Sequence, residues 1–132
     1  MPSQSSGAVL LALVFAFAAT AHAEPAAQKT GQVRMLVQSS PLAGFRHGEA
    51  AEVWQDLRGG DRLTLVREPA NTFDPNAVRV EWRGRKLGYV PRRDNAALAW
   101  AIDRGETLHA RISKTEWHPN PARRIAFEVF VE

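Results

Sequence analysis

The chain has 132 residues, no cysteine, 45% hydrophobic and 23% charged residues, and a formal charge of +3. That length fits one domain, and the missing cysteines exclude a disulfide scaffold, a zinc ribbon and thiol chemistry. With no GxxxxGK[ST] loop, HExxH pair or GxSxG elbow, and no room for a motor, a small binding module is expected rather than an enzyme.

Residues 1–23 carry none of the 17 basic or 14 acidic side chains. Their apolar run, residues 8–19 (AVLLALVFAFAA), is followed by Ala21-His22-Ala23, which places small residues at positions −3 and −1. That is the pattern of a secretory signal peptide cleaved between Ala23 and Glu24, although MPSQSSG ahead of the run lacks a basic side chain. The run falls short of the ~20 residues that span a bilayer, so no stable membrane insertion is expected after cleavage. A periplasmic or secreted location follows. Residues 24–31 read as a polar lead-in and residues 32–132 as the folded domain.

Residues 33–37 (VRMLV) read as a first strand, and residues 41–48 (PLAGFRHG) as a glycine-punctuated loop. Ala50, Val53, Trp54 and Leu57 fall on one helical face, stopped by Gly59-Gly60. Residues 62–67 alternate as a strand. Residues 68–76 (EPANTFDPN) are dense in turn formers. Val78, Val80 and Trp82 alternate with Arg79 and Glu81 in the next strand, and Arg83-Gly84 turns it back into residues 86–90. After Pro91, Asp94 or Asn95 is placed to cap a helix whose stripe is Leu98, Ala101 and Ile102. Residues 107–115 and 124–131 complete the set as strands joined by the His118-Pro119-Asn120-Pro121 tip. The expected class is α+β, mainly β: a small OB-like barrel of about six strands with two short helices.

Three blocks carry a resemblance. Glu68-Pro69-Ala70-Asn71-Thr72-Phe73-Asp74-Pro75-Asn76-Ala77-Val78-Arg79-Val80 resembles the HIRAN signature, loosely EPxNxxDxNAxxV. Pro41-Leu42-Ala43-Gly44-Phe45-Arg46 lies upstream of it and Leu87-Gly88-Tyr89-Val90-Pro91-Arg92 downstream, in the family's order, with an NxxLA helix start at Asn95. Together with the leader, they point to a small bacterial HIRAN domain-containing protein. The resemblance implies a modified OB-like barrel. In eukaryotic fork-remodelling helicases the module of that name grips the 3′-hydroxyl end of single-stranded DNA. An aromatic residue there stacks on the terminal base and the following Asp accepts the hydroxyl hydrogen bond. Those roles fall here on Phe73 and Asp74, phosphate contact on Arg46, and further backbone contacts on Tyr89 and Arg92.

The residue types suit that ligand on their own terms: an aromatic for a base, a carboxylate for a hydroxyl, guanidiniums for phosphate. Two positions depart from the family. His47 stands where its nucleic-acid readers have a second stacking aromatic, and the region of Arg123-Arg124 replaces another aromatic near the last hairpin. The hydrolase activity and zinc binding found in some members belong to motor and RING-type domains absent from this sequence. No cofactor, metal or catalytic residue is therefore expected, and His47, His109 and His118 lack metal-ligand spacing.

Several residues keep a second reading. Asp74 suits an Asx-turn as well as a ligand, and Asn71 and Asn76 suit structural turns. Phe73 suits a plug at the barrel end as well as a platform, and Tyr89 a core position with its hydroxyl at the rim. Trp54, Trp82 and Trp100 are expected in the core and Trp117 at the surface. Two functions remain open: a binder of single-stranded DNA ends, or an exported protein- or glycan-interaction module with an envelope protein as partner. A clustered basic groove near Phe73 would favour the first. Scattered arginines around an apolar Trp117 patch would favour the second.

Overall fold

Six strands and two short helices make up residues 33–132, which are described by the computed structural model; the expected signal peptide and the lead-in lie outside them. The strands are β1 (Met35–Pro41), β2 (Arg62–Arg67), β3 (Val78–Trp82), β4 (Arg85–Tyr89), β5 (Leu108–Thr115) and β6 (Ile125–Val131). Helix α1 (Ala50–Val53) lies between β1 and β2, and α2 (Ala96–Asp103) between β4 and β5. The sheet is antiparallel, in the order β1-β6-β5-β2-β3-β4. No described helix is long and apolar enough to cross a membrane.

Alternation builds the core as expected. Val78, Val80 and Trp82 are buried while Arg79 and Glu81 lie on the outer side, where they pair with each other at 2.8 Å. Arg83 and Gly84 both take positive φ (48° and 78°), the geometry of a two-residue turn whose twist matches its flanking strands. Phe127, Val129 and Ile125 from β6 meet Ile112 and Ala110 from β5 in the same core.

The sheet curls because β2 changes partner. Arg62 and Leu63 pair with β5, whereas Thr64 to Arg67 pair with β3. The outer edges, β1 and β4, do not pair along their length. They are joined at one point, where Ala43 and Tyr89 exchange both backbone hydrogen bonds at 2.9 Å. The result is the barrel-like, mainly β fold expected from the sequence.

Three local expectations are corrected. The first strand is Met35–Pro41 rather than residues 33–37, because Ser39, Ser40 and Pro41 pair with Glu128, Phe127 and Ala126. Backbone pairing with β6 sets its position, and the apolar Met35, Leu36 and Val37 are left exposed. The helix expected over Ala50–Leu57 is four residues long and passes into a 3₁₀ turn at Trp54–Asp56. Arg58 closes the end of that 3₁₀ turn by donating to the carbonyls of Gln55 (2.6 Å) and Leu57 (2.9 Å), and Ala50, Val53 and Leu57 still face the core. Trp100 is 61% exposed rather than in the core, since Leu98, Ala99 and Ala101 provide the buried face of α2. Trp82 is buried and Trp54 packs against the core as expected.

Candidate nucleic-acid interface

The loop between β2 and β3 is shaped by its own side chains. Asn71 Oδ1 accepts from the amides of Phe73 (2.9 Å) and Asp74 (3.1 Å), and Asn71 Nδ2 donates to Glu68 Oε1 at 3.0 Å. Asp74 Oδ1 accepts from the Asn76 amide at 2.9 Å, which is an Asx-turn. Its Oδ2 accepts from Asn95 Nδ2 at 2.6 Å. Both carboxylate oxygens thus hold the loop, and each keeps a further lone pair. Phe73, pinned at its amide, projects its ring into solvent with 87% of the residue exposed. It is not a plug of the barrel.

Asn95 is buried, yet its side chain makes no cap on α2, in contrast to the expected capping role; it reaches across to Asp74. The same segment carries Arg92 and Arg93, exposed on a 3₁₀ turn at Arg92–Asp94. Asp74 is therefore tied to the residue immediately after that basic turn.

Glu68 is the hub of the loop. Its carboxylate accepts from Tyr89 Oη (2.9 Å), Asn71 Nδ2 (3.0 Å) and Arg79 Nη1 (2.6 Å). Burial alone would push this carboxyl up, but the hydrogen bonds from Asn71, Tyr89 and Arg79 outweigh it and hold the group below 4.5. Tyr89 is half-buried, with its hydroxyl on Glu68 and the Lys86 ammonium 4.5 Å from its ring centroid. It sits at the rim and is no free aromatic face.

Arg46 and His47 lie exposed on a 3₁₀ turn, Phe45–His47, that follows Gly44 at φ 75°. Phe45 anchors the turn in the core. The turn faces Pro119, Asn120, Pro121 and Ala122 of the β5–β6 tip across a shallow depression. Ala122 also borders a second depression with Arg92 and Arg93, and a third with Arg93, Lys114 and Arg123. Five cationic side chains from four segments thus surround one alanine. Among the described residues Arg46, Arg92 and Arg123 form no salt bridge, whereas Arg67, Arg79, Arg85, Arg104 and Arg111 are each paired with a carboxylate.

Folding therefore gathers the six expected residues into two neighbouring groups. Phe73, Asp74 and Tyr89 share one hydrogen-bonded network, and Arg46, His47 and Arg92 belong to the basic ring. Gly44 packs close to the Tyr89 ring, and Asn95 follows the Arg92 turn, so the two groups adjoin. Sequence reasoning read Glu68 only as the opening of the signature and Asn95 only as a helix start or cap, and named neither as a site residue. Among the described residues no cluster of three metal-ligating side chains occurs.

The three sequence blocks are thus joined through Tyr89, which pairs with Ala43 and donates to Glu68, and the profile of the HIRAN domain matches residues 35–132. The chain belongs to the HIRAN domain family. Over 79 residues it is 34% identical to a Fanconi-associated nuclease 1 homolog of Oryza sativa subsp. japonica, covering 57% of this chain and 8% of that protein. It is also 42% identical over 48 residues to a putative SWI/SNF-related matrix-associated actin-dependent regulator of chromatin subfamily A member 3-like 1 of Arabidopsis thaliana, covering 36% and 5%. The chain spans less than a tenth of the length of either relative. Two crystal structures share the fold. A Lactobacillus plantarum protein superposes with a TM-score of 0.65 at 22% identity, over 75% of this chain and 95% of that one. The HIRAN domain of human HLTF gives 0.57 at 19% identity, over 74% and 78%.

Proposed function

We propose that this HIRAN domain is a non-catalytic module that binds the 3′-hydroxyl end of single-stranded DNA. The observation that carries the reading is the exposed Phe73, fixed at its amide beside the Asp74 carboxylate, with Arg46, Arg92 and Arg123 on neighbouring turns and in no salt bridge among the described residues. The ring of Phe73 stacks on the terminal base, Asp74 accepts the hydroxyl proton through a lone pair not used by Asn76 or Asn95, and Arg46 and Arg92 neutralise phosphates. The cations gather rather than scatter, which favours a nucleic-acid strand over an envelope protein or glycan. Relatives whose names refer to a nuclease and to a regulator of chromatin agree with this.

The test is fluorescence anisotropy of the purified chain with short single-stranded DNA ending in a 3′-hydroxyl or a 3′-phosphate, at two salt concentrations. Micromolar or tighter binding is expected. Phe73→Ala should weaken it by about tenfold or more, as removal of a base-stacking aromatic does. A 3′-phosphate should weaken it comparably, because Asp74 repels the added charge. Binding that ignores the 3′ end and disappears with salt would mean charge attraction alone and would return the question to envelope partners.

We further propose that the protein is exported, with residues 1–23 as its leader. Intact-mass measurement of the secreted or periplasmic protein should find Glu24 at the amino terminus. Retention of the unprocessed chain in the cytoplasm would reject export.

A further inference from the structure

Trp117 is 65% exposed, and its position is unlike that of the other exposed aromatics. The Arg124 guanidinium lies 3.8 Å from the centroid of its ring, and the same guanidinium lies 4.9 Å from that of Phe45. Phe45 in turn meets Trp54 edge-on at 5.9 Å. Arg124 is fixed by donating from Nε to the His118 carbonyl at 2.8 Å. The tip itself is stiffened: the Asn120 amide donates to His118 Nδ1 (2.9 Å), and Asn120 Oδ1 accepts from the Ala122 amide (3.0 Å). One face of the indole is therefore backed by a held cation that reaches into the core, while the residue stays largely open to solvent.

We propose that Trp117, seated on Arg124, is a stacking platform for a base upstream of the bound 3′ end of a strand. The proposal rests on the strand-end reading above and extends it from an end site to a track. Flanking groups suit a phosphodiester chain. Lys114, Arg123 and Arg93 line the depression that also holds His118, and its one carboxylate, Glu116, is paired with Lys114 at 3.0 Å. That depression shares Ala122 with the one facing Arg46 and His47 and is lined by Glu116 and His118, the chain neighbours of Trp117, so the indole lies beside a surface that leads from Arg46 past Arg123. A base on the open face would complete a stack of base, indole, guanidinium and phenyl ring. Because the indole is already held, little ordering opposes binding.

The test uses the full chain with 3′-hydroxyl oligothymidines of two and eight nucleotides, the dinucleotide measured by competition against a labelled octamer. Trp117→Ala should weaken octamer binding about tenfold and leave the dinucleotide unchanged, whereas Trp117→Phe should recover most of the loss. Phe73→Ala should weaken both lengths. Thermal melting of each variant separates binding from folding. Unchanged octamer binding in Trp117→Ala, with the Phe73→Ala loss intact, would overturn the platform and leave the end site standing. An equal loss at both lengths would also overturn it. A wild-type chain that binds neither oligonucleotide would overturn both readings.

Discussion

Gly88→Ala is expected to lower the stability of the domain by about 3 kcal/mol, more than any other addition of one methyl group. A Cβ at that position would stand 2.2 Å from the carbonyl oxygen of Ala43 and 3.1 Å from Leu42 Cγ. The first neighbour is backbone and cannot swing aside. Ala43 is also the residue that bridges the two edges of the sheet through Tyr89, one position past the glycine. Relief of the clash therefore opens the bridge and displaces the Tyr89 ring. Urea denaturation followed by far-ultraviolet circular dichroism measures the loss. Gly59→Ala serves as the control, since its Cβ would meet nothing closer than 3.9 Å and should change stability by no more than about 0.5 kcal/mol. A Gly88→Ala variant within about 1 kcal/mol of the parent would show that the edges are not held together there.

Glu68→Ala is the second large effect, expected at about 2–3 kcal/mol. It removes one carboxylate and leaves three donors without it: the Tyr89 hydroxyl, the Asn71 amide and the Arg79 guanidinium. Arg79 keeps Glu81, which limits the loss on that side. Asn71 no longer has its anchor on Glu68, so the amides of Phe73 and Asp74 lose their fixed acceptor and strand-end binding should fall with stability. The pH dependence has a definite sign. The native pKa of Glu68 lies below the unfolded value of 4.5, so the folded state favours its charged form. Its contribution is fully present above about pH 4.5 and disappears as pH falls through the lower native value. In Glu68→Gln that segment of the acid limb should flatten. Urea midpoints between about pH 7 and pH 3 test this, and an unchanged acid limb would remove Glu68 as the hub.

Much of the fold was legible because its cause is local. Val78, Val80 and Trp82 alternate within a single strand, Arg83-Gly84 has the chemistry of its turn, and residues 68–76 hold two prolines, two asparagines and an aspartate. What escaped depends on partners distant in the chain. Ser39 and Ser40 have no strand signal of their own, but Glu128 and Phe127 across the ladder make them one. Asn95 has the right type and place for a cap, yet Asp74 outcompetes the helix amides for its side chain.

The candidate site divides the same way. The resemblance to the family presented Phe73 and Asp74 through the signature, and Arg46, His47, Tyr89 and Arg92 through the flanking blocks. The pairing of Trp117 with Arg124 was not legible, because six residues of hairpin tip separate a tryptophan read as exposed from an arginine read as solvated. Glu68 was visible as a letter of the motif but not as the acceptor that joins Tyr89 to the loop.

The pairing of β1 with β6 sets a schedule for how the domain comes into being. Met35 to Pro41 can find their partners only after Ile125 to Val131 have been synthesised, so the first strand made must wait for the last. Until then β1 has no ladder, and contacts this far apart in the chain are slow to close. A nascent chain of this topology therefore cannot complete its sheet until its last strand has been made.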